Sequence, residues 1–227
     1  MISGKVWRRL PLRTMLQMDL EGEAIALLAE RALWWEKEKT LIVADIHWGK
    51  SAHFRKHGIA IPLQTQTNDE MRLANLLRGK KAERLVIAGD LFHSKTNMQV
   101  DFFSHFRNHH QSLHIDLVIG NHDILNEEQY NSFDLAHHKD CFTMLPFCIA
   151  HDKIDSEHFV IHGHIHPALR IKSKGYNQPT LKLCCFAQDD ERMILPAFGQ
   201  FTGTCVLDET NYKHLYLVAE SEVIQWK

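Results

Sequence analysis

The sequence predicts an α/β protein in which two sheets stack face to face with helices outside, a two-sheet α/β/β/α sandwich built from residues 1–227 as one domain. Three observations carry that reading. Apolar runs ending in polar residues alternate with helix-like stretches in the first half, as in βαβ units with parallel strands. In the second half, apolar runs recur at hairpin spacing, as in a mainly antiparallel sheet. No linker, repeat or low-complexity stretch divides the two halves.

In chain order, residues 41–44 run into Asp45, residues 85–88 into Gly89-Asp90, and residues 115–119 into Gly120-Asn121. Such runs suit buried strands that deliver loops to one sheet edge. Between them, residues 67–77 space Met71, Leu73, Ala74, Leu76 and Leu77 as a helix would, and residues 98–109 do the same with Phe102, Phe103 and Phe106. This alternation predicts right-handed crossovers between parallel neighbours. Beyond Ile124, residues 141–150, 158–162, 180–187, 193–197, 204–207 and 214–218 read as short strands.

Composition sets the outer limits. A chain that is 44% hydrophobic and 24% charged is ordinary globular material, not a disordered, coiled-coil or fibrous one. Residues 1–11 hold three basic side chains but no secretory pattern, and no run is long enough to span a bilayer. The expectation is a cytoplasmic protein without membrane contact, whose five cysteines are reduced core thiols. A net charge of −2 offers polyanions no global field, so any DNA contact needs a local patch. The 17 histidines direct attention to metal or proton chemistry.

Hydrolysis of a phosphate ester needs a hydroxide at neutral pH, neutralised phosphoryl oxygens and a proton for the leaving oxygen; two bridged metal ions meet the first two needs. Carboxylate, amide and imidazole donors suit such ions. Asp45 and His47, two apart at a strand end, can leave one side together and share a metal. Asp90, after a strand and a glycine, can bridge two ions, and Asn121 offers an amide oxygen after Gly120. His164 and His166 repeat the two-residue spacing. His122 follows Asn121 and precedes Asp123, whose carboxylate can orient the imidazole, so that His122 protonates a leaving alkoxide.

These segments resemble the calcineurin-like metallophosphoesterase superfamily, whose pattern is Asp-x-His, Gly-Asp, Gly-Asn-His-Asp/Glu, an isolated His and Gly-His-x-His. The resemblance implies the metallophosphoesterase fold and two divalent ions, usually manganese, with zinc or iron as alternatives. It assigns Asp45, His47, Asp90 and His166 to one ion, and Asp90, Asn121, His164 and the isolated His to the other. For that last ligand His151, at the end of an apolar run, is preferred, with His162 as the alternative.

Two neighbouring features bear on substrate. His93, three residues past Asp90, can contact a phosphate oxygen. Between Gly49 and Asn68 the chain has no acidic residue, and Lys50, Arg55 and Lys56 there form a candidate phosphate-binding strip. Residues 195–203 carry Phe198 and Phe201, each readable as a base-stacking ring or a core residue.

The wording of residues 30–35, 41–50, 54–62, 89–94 and 195–203 is similar to the PdeM family of ligase-associated DNA-damage-response endonucleases. That resemblance implies a metal-dependent hydrolase of DNA phosphodiesters in repair, associated with an ATP-dependent DNA ligase and an Lhr-type helicase. Two alternatives stand beside it: hydrolysis of nucleotides or other small phosphate esters, and a metal-bound binding module of a ligase or helicase complex.

Overall fold

The computed structural model describes residues 15–48, 64–92, 97–172 and 180–227. Its first sheet runs β1 (Met15–Leu20), β2 (Glu23–Leu28), β3 (Ala32–Trp35), β4 (Thr40–Val43), β5 (Arg84–Ala88), β6 (His114–Val118) and β7 (Ala136–His138), in that spatial order. Strands β1 to β4 form an antiparallel meander, and β4 to β7 pair parallel. Helix α1 (Gln64–Lys80) joins β4 to β5, and α2 (Asn97–His109) joins β5 to β6. A short α3 (Glu127–Ser132) precedes β7, opened by a capping box between Asn126 and Gln129.

The second sheet takes β8 (Cys141–Met144), β9 (Phe147–Ala150), β10 (Phe159–His162), β11 (Pro167–Lys172), β12 (Thr180–Gln188), β13 (Arg192–Ile194), β14 (Cys205–Val206), β15 (His214–Ala219) and β16 (Glu222–Gln225). Its main order is β14-β11-β12-β13-β10-β9-β8, with β15 and β16 continuing from β12. Most pairings are antiparallel, as expected, but β9, β10 and β13 lie parallel, as do β11 and β14. That departure matters for the site, because β9 and β10 then finish at the same end, as β4, β5 and β6 do in the first sheet.

Alternation along the strands builds the layers. Leu41, Val43, Leu85 and Ile87 face the helices, where they meet Leu73, Leu76 and Leu77 of α1 and Phe103 and Phe106 of α2. Ile42, Val86, Ala88 and Val118 face the other sheet, against Phe147, Ile149, Ile161, Phe186 and Met193. Among the described residues, the apolar cluster on the outer face of the second sheet is packed by partly buried Leu207, Tyr212 and Trp226, and it includes no residue of an α-helix.

Within the outer core, Trp48 packs edge-on to Phe103 and Phe106 at 5.6 and 5.2 Å, and Phe92 to Phe103 at 5.6 Å. Trp48 directly follows His47, and Phe92 lies two residues past Asp90. The aromatic cluster therefore anchors the two loops that carry the first candidate ligands. Trp34 and Trp35 are buried, but the cysteines, expected in the core, divide: Cys148 and Cys185 are core, whereas Cys205 is exposed because its two-residue strand lies at the sheet edge. No described helix is long and apolar enough to cross a membrane.

Candidate metal centre

The loops after β4, β5, β6, β9 and β10 converge on one rim. The loops of β4 and β5 pair with one another: Asp45 N–H donates to Gly89 O at 3.1 Å, His47 N–H to Asp90 O at 2.9 Å and Trp48 N–H to Leu91 O at 2.7 Å. Asp45, His47, Asp90, His164 and His166 all adopt left-handed backbone, with φ of 52, 49, 52, 66 and 52°. Paired residues two apart thus leave the same side through alternating left-handed turns, not through the pleat of a strand as the spacing suggests. Such backbone costs about 1–3 kcal/mol per residue and persists where its surroundings fix it.

Three groups of donor atoms lie mutually within 4.8 Å: Asp45, His47 and His166; His47, Asp90 and His122; and Asp90, His151 and His164. Asp90 has one oxygen on each side, Oδ2 at 3.5 Å from His47 Nε2 and Oδ1 at 3.7 Å from His151 Nε2. Asp45 Oδ1 lies 3.4 Å from His166 Nε2. On the other side, His151 Nε2 lies 2.8 Å from Asn121 Oδ1 and 3.0 Å from His164 Nδ1. Asp45, His47, Asp90 and His151 form a buried floor, with Asn121 and His164 exposed above it. The seven residues expected as ligands are therefore brought together in two sets that meet at Asp90.

Backbone carbonyls orient two of the imidazoles. His166 Nδ1–H donates to Gly203 O at 3.0 Å, and His151 Nδ1–H points to Ala88 O at 3.4 Å. Each Nε2 is then left facing the carboxylates, the arrangement by which outer partners fix a metal-binding histidine. His162 is absent from all three groups. Its Nδ1 is engaged by Gly163 O at 3.1 Å, its Nε2 is buried without a partner, and burial lowers its pKa to about 4.

Glycine is required where these loops touch. Gly89, at φ 82°, would place a Cβ 2.0 Å from His151 Nδ1, and Gly120 would place one 2.3 Å from Asp90 Oδ1. A side chain at either would occupy the space that the donor atoms use. Electrostatics points the same way: Asp45 is fully buried beside Asp90, and desolvation raises its pKa. Two buried carboxylates ringed by imidazoles and an amide oxygen are a donor set suited to borderline divalent cations.

Asp123 also binds backbone. Its Oδ1 accepts the Phe92 amide and its Oδ2 the Gly120 amide, each at 2.9 Å. The carboxylate clamps the β5 loop to the β6 loop, and burial lifts its pKa to about 7. His122 stands beside the centre, its ring centroid 5.1 Å from that of His47, and its backbone N–H donates to Asp90 Oδ1 at 2.9 Å. Lys50, Arg55, Lys56 and His93 lie outside the described residues.

Sequence reasoning gave residues 195–203 no part in orienting the ligands. Phe198 N–H donates to Ala44 O at 2.8 Å and Gly199 N–H to Asp45 O at 3.1 Å, so this loop braces the back of the first ligand. Arg72 of α1 holds the loop, bonded to Phe198 O and stacked 4.1 Å from the Phe198 ring. The Gly203 and Ala88 carbonyls carry no side-chain signal that a sequence could reveal.

The family model of the calcineurin-like phosphoesterases matches residues 38–193. The crystal structure of Pseudomonas putida nuclease MPE superposes with a TM-score of 0.79 at 29% identity, over 93% of this chain and 99% of that one. The Aquifex aeolicus protein of unknown function AQ665 aligns over 56% of this chain and 78% of its own, at 17% identity and a TM-score of 0.37. No curated protein matches the chain.

Proposed function

The chain belongs to the calcineurin-like phosphoesterase family, a metal-dependent hydrolase of phosphate esters, and from that premise we propose that it is a DNA phosphodiesterase. The observation that carries the metal chemistry is Asp90, with one oxygen toward His47 and the other toward His151. Support for the nuclease step comes from the likeness to a protein described as a nuclease, at 29% identity across 93% of this chain.

In this proposal Asp45, His47, Asp90 and His166 hold one divalent ion, and Asp90, Asn121, His151 and His164 the other. Bound ions of this kind lower the pKa of water and neutralise charge on phosphoryl oxygens. The chain's own groups do the rest. The Gly203 and Ala88 carbonyls keep His166 and His151 in the tautomers that present Nε2. Asp123 keeps the Asp90 and Asn121 loops in register. His122, half-buried at the mouth, donates its ring proton to the leaving oxygen. Manganese as the ion, DNA repair as the setting, and an ATP-dependent ligase and an Lhr-type helicase as partners extend the reading from the sequence resemblance.

The test is hydrolysis by metal-stripped protein resupplied with manganese, using single-stranded, nicked and supercoiled DNA, nucleotides and bis-p-nitrophenyl phosphate, with Asp90→Asn as control. DNA cleavage abolished in Asp90→Asn is expected. Turnover of nucleotides with none of DNA contradicts the nuclease reading.

A further inference from the structure

Residues 195–203 leave two phenylalanines with the same pair of readings, and the structure separates them. Phe198 is 0% exposed beneath Arg72, whereas Phe201, three residues on, is 39% exposed. The loop between them is tied to the metal centre at both ends. Gly199 N–H donates to Asp45 O at 3.1 Å, Gly203 O accepts from His166 Nδ1 at 3.0 Å, and Cys205 N–H donates to His166 O at 3.0 Å. Thr202 Oγ1–H closes the turn on Gly199 O at 2.9 Å.

Phe201 therefore stands two residues from the carbonyl that orients His166, and two residues of chain span at most about 7 Å. The turn is braced by its own hydrogen bonds, so the ring is presented from a fixed backbone. Gly199, Gln200, Phe201, Thr202, Gly203 and Thr204 include no ionisable side chain, so the rim adds no charge of its own and the exposed aromatic ring is its largest apolar face for a ligand.

Resting on the nuclease reading above, we propose that Phe201 is a base-stacking residue: a nucleobase flanking the scissile phosphate lies on its ring while the phosphate meets the metal centre. Aromatic stacking accepts any base, because every base has a π-face. A base within a duplex already has both faces covered, so the contact selects an unpaired or extruded nucleotide. Phe201 then sets which phosphate is cut by positioning its neighbour, and takes no part in the chemical step.

The experiment couples the side chain to the base it would touch. A single-stranded oligonucleotide is cut by the manganese-supplied enzyme after each nucleotide in turn is replaced by an abasic residue. With the wild type, one position near the cut should raise KM roughly 5- to 100-fold when its base is removed. In Phe201→Ala that penalty should shrink to within about twofold, and Phe201→Trp should restore it. 2-Aminopurine at the same position should be quenched on binding the wild type and Phe201→Trp but not Phe201→Ala. An equal abasic penalty in wild type and Phe201→Ala, or none at any position, overturns the inference while leaving the nuclease reading intact. A wild type that cuts no DNA removes both.

Discussion

The His122 backbone N–H donates to Asp90 Oδ1 at 2.9 Å, so the candidate proton donor and the carboxylate between the two donor sets share one hydrogen bond. Their roles are nonetheless separable. Asp90→Asn should lower kcat/KM by at least about a thousandfold and reduce bound metal, because it weakens a ligand of both ions. His122→Ala should lower kcat by roughly a hundred- to ten-thousandfold with metal content kept. The loss should be smaller for a p-nitrophenolate leaving group, which needs no proton, than for a deoxyribose oxygen. Metal analysis beside kinetics on both substrates checks this.

Glycines at the loop contacts divide sharply from glycines elsewhere. Gly89→Ala pushes a Cβ toward His151 Nδ1, 2.0 Å away, at a φ of 82°. It should destabilise the fold by about 1–3 kcal/mol or more and impair metal binding. Gly79, inside α1, has nothing within 4 Å of a Cβ. Gly79→Ala should stabilise by about 0.5–1 kcal/mol. Thermal melts of the two variants give the comparison.

Asp123 acts through backbone. Asp123→Ala strips the buried Phe92 and Gly120 amides of their acceptor, at a cost of about 1–3 kcal/mol for each group left unpaired. Asp123→Asn retains one carbonyl oxygen and should lose less. Denaturant melts of the pair, read against activity, would show stability and turnover falling together. Loss of turnover with full stability would instead favour an orienting role toward His122.

Much of this centre is legible in the residues. Asp45, His47, Asp90, Asn121, His164 and His166 stand out because short polar motifs follow apolar runs, and strand ends at one rim are where such loops meet. The crossover helices are equally plain, Leu73, Leu76 and Leu77 fixing the inner face of α1. The β1–β3 meander is harder to see, since Met15, Gln17 and Asp19 of its edge strand are open to solvent while only Leu16, Met18 and Leu20 turn inward. The parallel course of β9 and β10 is not written in either strand, because hairpin-length apolar runs fit both directions. The Gly203 and Ala88 carbonyls leave no trace, since backbone acceptors exist at every position.

Thiol chemistry reports on the fold independently of the site. Burial lifts the Cys185 thiol to about 12 and the Cys148 thiol to about 11, whereas Cys205 is exposed. A raised pKa leaves almost no thiolate at pH 8, so both buried thiols should resist a disulfide reagent until the protein unfolds. Cys205 should react first in the native state, and mass spectrometry after timed quenching identifies the order.

The proposed hydrolysis needs two ions held by seven ligands. Anomalous diffraction at the manganese edge from crystals soaked in manganese tests it directly. Two peaks are expected, one among Asp45, His47 and His166 and one among Asn121, His151 and His164, with Asp90 between them. A single peak, or one coordinated by His162 with His151 turned away, would contradict it.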